Sequence, residues 1–131
     1  MFMENQLKFH PYYATLAIVL IISIGFVSLM PSNGLPQTSF RNIDKLVHFS
    51  MYFILSISIA LGFFKLESLA SFEKFSPFLL AFVYSFLIEI LQEFATNSRF
   101  FDIFDILANG IGCILAFVVL NALIFNKKIK N

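Results

Sequence analysis

The chain has 131 residues, of which 59% are hydrophobic and 13% charged, with a formal net charge of +1 and a mean hydropathy of +0.84. Ordinary soluble domains are about half apolar and about a quarter charged, so this composition excludes a water-soluble globule and places the chain in a bilayer. Nine Lys/Arg against eight Asp/Glu, with no basic block, exclude nucleic acid as a partner.

Crossing about 30 Å of hydrocarbon takes about 20 apolar residues in a helix, since each adds about 1.5 Å. Four stretches qualify. The first, 12–30 ("YYATLAIVLIISIGFVSLM"), carries no charge and stops at Pro31, which cannot continue a helical hydrogen-bond ladder. Its apolar length exceeds the usual signal-peptide core of about 7–15 residues, and no small-residue cleavage site precedes "PSNGLPQTS", so it reads as a retained span. The second span, 43–64, is interrupted only by Asp44, Lys45 and His48 in its first turns. In the loop after it, Ser76-Pro77 reads as an N-cap followed by proline at the first helical position. The third span, 77–95, carries Glu89, Gln92 and Glu93 in its last turns, and the fourth, 102–125, opens with Asp102, Asp105 and Asn109. The expected fold is one all-α domain, an integral membrane four-helix bundle with short loops whose successive helices are antiparallel neighbours. Cys113 is the only cysteine, which excludes an internal disulfide and a cysteine-based metal motif.

Cytoplasmic segments carry an excess of Lys and Arg. Lys8, Lys65, Lys74, Lys127, Lys128 and Lys130 flank one side, and Arg41, Lys45 and Arg99 the other. Both termini are therefore expected in the cytoplasm, with the start of helix 2, the end of helix 3 and the start of helix 4 facing outward.

The unusual polar residues occur at those three places. At about 100° per residue, Asp44 and His48 lie about 40° apart, Glu89 and Glu93 likewise, and Asp102, Asp105, Asn109 and Gly112 share an arc of about 80°. Ionisable groups inside spans face the bundle interior or a wet cavity, because lipid exposure costs at least about 2.5–3.5 kcal/mol each. The three stripes are expected to face one another. Capping by acids at a helix start accounts equally well for Asp102 and Asp44 taken singly. It does not reach Asn109, two turns in, or Glu89 and Glu93 at a helix C-terminus, where negative charge is disfavoured. Those two acids need a proton or a cation, and Arg99, Lys45 and His48 are the nearest candidates. A structural ion-pair network remains an alternative reading. Carboxylates with one imidazole would suit Mg²⁺, Ca²⁺ or Mn²⁺ better than zinc, but with no local ligand motif neither a metal site nor a cofactor is expected. Ser50 lies too close to His48 in sequence for a nucleophilic pair, and no G-x-S-x-G occurs. Gly110 and Gly112 read as helix-packing residues, and Phe100-Phe101 as an interfacial aromatic belt. "DKLVHF" and "DILANG" form a faint internal echo, by coincidence or by a repeat of two helical hairpins.

The ordered set "DKLVHF", "EILQEF", a loop with Arg99, then Asp102, Asp105, Asn109 and Gly112 resembles the VanZ-like family of small bacterial membrane proteins over about residues 12–125. The resemblance implies a multi-span envelope protein, with Asp44, Lys45, His48, Glu89, Gln92, Arg99, Asp102, Asp105, Asn109 and Gly112 at signature positions. The family is named for a protein linked to teicoplanin resistance, and that activity is not carried over. The expected function is binding or modulation of a lipid, a cell-wall precursor or an amphiphilic antibiotic, through Asp44, Lys45, Gln92, Arg99, Asp102, Asp105 and Asn109. The alternatives are an intramembrane enzyme in which His48 and Glu89 act as acid and base on a lipid-linked substrate, and a purely structural membrane protein. Membrane lipids are the expected partners, and the oligomeric state is left open.

Overall fold

The computed structural model describes residues 10–31, 42–66, 70, 72–97 and 100–129, the last five of these by backbone alone. Four helices follow one another: α1 (Pro11–Ser28), α2 (Ile43–Phe63), α3 (Ser76–Ala95) and α4 (Ile103–Ile129). All four are long and apolar enough to cross a membrane, and their bounds lie close to the expected spans. Every described element is helical.

Each boundary has a local cause. Pro11 starts α1, where its missing N–H is one that a helix leaves unsatisfied anyway. The α1 end closes with Leu29 N–H donating to the Gly25 carbonyl at 3.1 Å, just before Pro31. Ser76 is not the cap its sequence suggests. A 3₁₀ turn over Glu73–Phe75 runs directly into α3, so the Ser76 N–H already donates to the Glu73 carbonyl and Phe75 takes the cap position. Asp102 does cap α4, its Oδ1 accepting from Phe104 N–H at 2.8 Å.

Within the spans, hydroxyls turn back onto their own helices: Ser56 donates to the Tyr52 carbonyl at 2.7 Å and Ser58 to the Ile54 carbonyl at 2.8 Å. Hydrocarbon offers no water, so this local satisfaction makes serine tolerable there. Large apolar side chains meanwhile point outward, among them Ile22, Phe26, Leu46, Phe104 and Leu123. In water such a surface would be an association liability; in lipid it is the solvated face.

The consecutive pairs α1–α2, α2–α3 and α3–α4 all pack together, yet the most extensive seam joins α2 to α4, which run parallel. Gly112 is the reason. A Cβ there would lie 2.5 Å from the Phe49 carbonyl oxygen, so only glycine lets the two backbones come this close. Gly62 does the same for α1, where a Cβ would lie 2.6 Å from the Ala14 nitrogen. Below the polar end, Ala17, Ile24, Tyr52, Leu55, Ile59, Ala81 and Cys113 form one buried apolar cluster. Ala60, Leu66, Phe78, Ala116, Leu120 and Ile124 form a second at the opposite end.

Candidate functional site

The start of α2, the end of α3 and the start of α4 meet at one end of the bundle, and their polar residues touch. Lys45 reaches from α2 to three carboxylates: Asp102 Oδ2 at 2.6 Å, Asp44 Oδ2 at 3.1 Å, and Asp105 Oδ1. An ammonium has three N–H donors, and all three are taken up by carboxylates. The sequence reading names Lys45 as a candidate cation for Glu89 and Glu93; here its ammonium meets Asp44, Asp102 and Asp105. Asp102 lies just before α4, and its carboxyl sits below the usual carboxylate range because Lys45 donates to it.

One turn deeper, His48 projects between α3 and α4. Its Nδ1 lies 3.2 Å from Asn109 Oδ1 and 3.8 Å from Glu89 Oε1, while its Nε2 lies 3.9 Å from Asp105 Oδ2. With the amide oxygen toward the ring, Nδ1 is the nitrogen that donates to Asn109, and Nε2 is turned to the Asp105 side. The two echoed hexapeptides thus face each other across the α2–α4 seam, His48 against Asn109.

Glu89 and Asn109 are both fully buried. Among the described residues, neither Glu89 carboxylate oxygen has a hydrogen-bond partner, and neither has Asn109 Nδ2. The Asp102 backbone N–H faces Glu89 without completing a bond. Gln92 is spoken for: its Nε2 donates to the Ser28 carbonyl at 3.0 Å, tying α3 to the end of α1. Glu93, expected to share the Glu89 stripe, is exposed. The inward arc of α3 runs through Ser85, Ile88, Glu89 and Gln92, and Glu93 falls beyond its edge. Arg99 lies outside the described residues.

These groups surround an open recess of about 270 Å³ lined by Asp44, His48, Gln92, Phe100, Asp102 and Asp105. Phe100 is the member that sequence reading misses: it reads there as a lipid-facing residue, and it forms a wall of the recess. No periodicity marks a loop aromatic as site-facing. A separate apolar groove of about 410 Å³ runs between α3 and α4 and is lined by residues including Phe82, Ile106, Leu107 and Gly110. Among the described residues the arrangement has hydrogen-bond acceptors in excess, one cation taken up by carboxylates, one imidazole and one buried carboxylate without a partner. It can accept donors from a ligand, and it sets His48 3.8 Å from Glu89 and 3.9 Å from Asp105, beyond direct hydrogen-bond reach.

The VanZ/LLP1 family model matches residues 3–125 of this sequence. No curated protein and no solved structure matches it.

Proposed function

The chain belongs to the VanZ-like family and is a multi-pass membrane protein with four apolar helices; from that premise we propose that it binds the polar head of an amphiphile in the recess at the start of α2 and α4. The candidate ligands are a lipid, a lipid-linked cell-wall precursor or an amphiphilic antibiotic. One observation carries this reading: the acceptor-rich recess opens at the end of a bundle whose flanks are solvated by lipid. A ligand with a donor-rich head and an apolar tail fits both surroundings at once. Among the described residues Asp44, Asp102 and Asp105 outnumber the cation they share, Lys45, which favours heads bearing amines or hydroxyls. The apolar groove between α3 and α4, which includes Ile106, the residue after Asp105, suits an acyl chain.

The recess faces outward and the termini lie in the cytoplasm, in keeping with the basic residues near 65, 74 and 127–130. Single cysteines at the exposed Asn97 and Phe72 in a Cys113→Ala background test this: an impermeant maleimide labels Asn97→Cys in intact cells and spares Phe72→Cys, and the reverse pattern overturns it.

For binding, native mass spectrometry follows retention of phosphatidylethanolamine, phosphatidylglycerol and a lipid-linked saccharide. The wild type retains an amine- or hydroxyl-rich amphiphile, and Asp44→Asn and His48→Gln release it at unchanged melting temperature. A chain that retains none of them selectively overturns the reading. The close approach of His48 to Glu89 and Asp105 favours acid–base catalysis as the second reading. Turnover of the same probe, abolished by both His48→Gln and Glu89→Gln, would establish it in place of simple binding.

A further inference from the structure

We propose that His48, Glu89 and Asp105 form a divalent-cation site of the Mn²⁺ type at the floor of the recess. The three residues come from α2, α3 and α4, and each offers a donor atom within 4.8 Å of the others. With bonds of about 2.0–2.2 Å, donors around one cation lie about 3 Å apart when adjacent and up to about 4.4 Å when opposite. At most one pair of the three can be opposite, so closing the set brings the adjacent donors up to about 2 Å nearer one another.

Glu89 supplies the independent reason. It is fully buried, and neither oxygen has a hydrogen-bond partner among the described residues. An ionised carboxylate so placed costs several kcal/mol unless a charge compensates it, and the Lys45 ammonium is already committed to Asp44, Asp102 and Asp105. Asn109 acts on the far side of the ring. By accepting the Nδ1–H of His48 it holds the Nε2 lone pair toward Asp105 Oδ2, as outer partners of metal-binding histidines do. Glu89 brings an uncompensated negative charge to the cation, and Asp105, whose Oδ1 accepts from Lys45, offers its other oxygen, Oδ2. The imidazole disfavours Mg²⁺ and Ca²⁺, and the two carboxylates favour Mn²⁺ over softer ions. Nothing local in the sequence announces this set, because no two ligands share a helix.

The test uses Mn²⁺ alone on chelator-treated full-length protein in detergent, so its failure leaves the lipid-retention result untouched. Electron paramagnetic resonance titration gives one saturable Mn²⁺ per chain, and pulsed spectra show a single ¹⁴N coupling. Glu89→Gln and His48→Gln weaken binding at least tenfold, Asn109→Ala weakens it by about 10–100-fold, and Glu93→Gln leaves it unchanged. Mg²⁺ competes poorly. Absence of a saturable wild-type site, absence of the nitrogen coupling, or a site that survives both Glu89→Gln and His48→Gln overturns the proposal. The nitrogen coupling needs no variant, so it stands even if a substituted chain fails to fold.

Discussion

The two ends of the bundle are built from the same helices and follow opposite rules. At one end Phe78, Ala116 and Leu120 close on one another with no charged group in the cluster. At the other, Asp44, His48, Asp102 and Asp105 line an open recess, and beside them the buried Glu89 carboxylate oxygens and Asn109 Nδ2 have no partner among the described residues. The apolar end satisfies every rule of a stable core. The polar end breaks several, and buried polar groups left incomplete lower stability. A fold tolerates such an end when the groups serve something other than folding. The comparison therefore separates the part that holds the bundle together from the part available to a ligand.

The seam between the ends is where the comparison breaks most completely. Gly112→Leu forces a side chain into the Phe49 backbone, and it is expected to prevent a monodisperse folded protein in detergent size-exclusion chromatography. Gly110→Ala, whose Cβ would meet only the edge of the Phe82 ring at 3.1 Å, is expected to fold with a loss of about 1 kcal/mol. At the apolar end, Leu120→Ala empties a buried side-chain position and should lower stability by about 3 kcal/mol, read as a drop in melting temperature. Lipid retention should persist in the fraction that remains folded. Equal loss of retention would mean that the two ends are not separable.

A further effect, smaller than that of emptying the core, sharpens the comparison from the polar side. Lys45 holds the Asp102 carboxyl below its ordinary value of 3.8. The pair therefore stabilises the fold above that pH, and the contribution disappears as pH falls through the lowered value. Lys45→Met removes this dependence and lowers stability at neutral pH by about 1–2 kcal/mol, because the pair is partly exposed to water. Thermal melts from pH 7 to 3 should show an acid-side decline in the wild type that is shallower in Lys45→Met. Identical profiles would remove Lys45 from any role in holding the acids.

Much of this is legible along the chain. The four spans follow from length and hydropathy, and the small Gly112 reads as a close-packing position before any neighbour is known. The alignment of Asp102, Asp105 and Asn109 on one face follows from helical periodicity, and Lys45 and His48 of α2 reach all three. Pairing across helices escapes such reading. Periodicity puts Glu89 and Glu93 about 40° apart and cannot tell which is inside; a packed neighbour at the edge of the arc separates them. Phe100 lies in a connection, where no period applies. Gln92 reads as a ligand-binding amide; it lines the recess, and its Nε2 ties α3 to α1 at the Ser28 carbonyl, a bond that no spacing announces.

The amino-acid sequence alone determined that this protein spans a membrane four times, that its polar residues cluster at one level, and which helical faces carry them. Those properties depend on composition and on spacing within single helices. Only the tertiary structure decided that Lys45 is consumed by three carboxylates, that Glu89 is buried without a described partner, and that His48, Glu89 and Asp105 converge. The relative rotation and depth of α2, α3 and α4 set those distances, and they are governed by contacts such as Gly112 against Phe49 between residues about sixty positions apart.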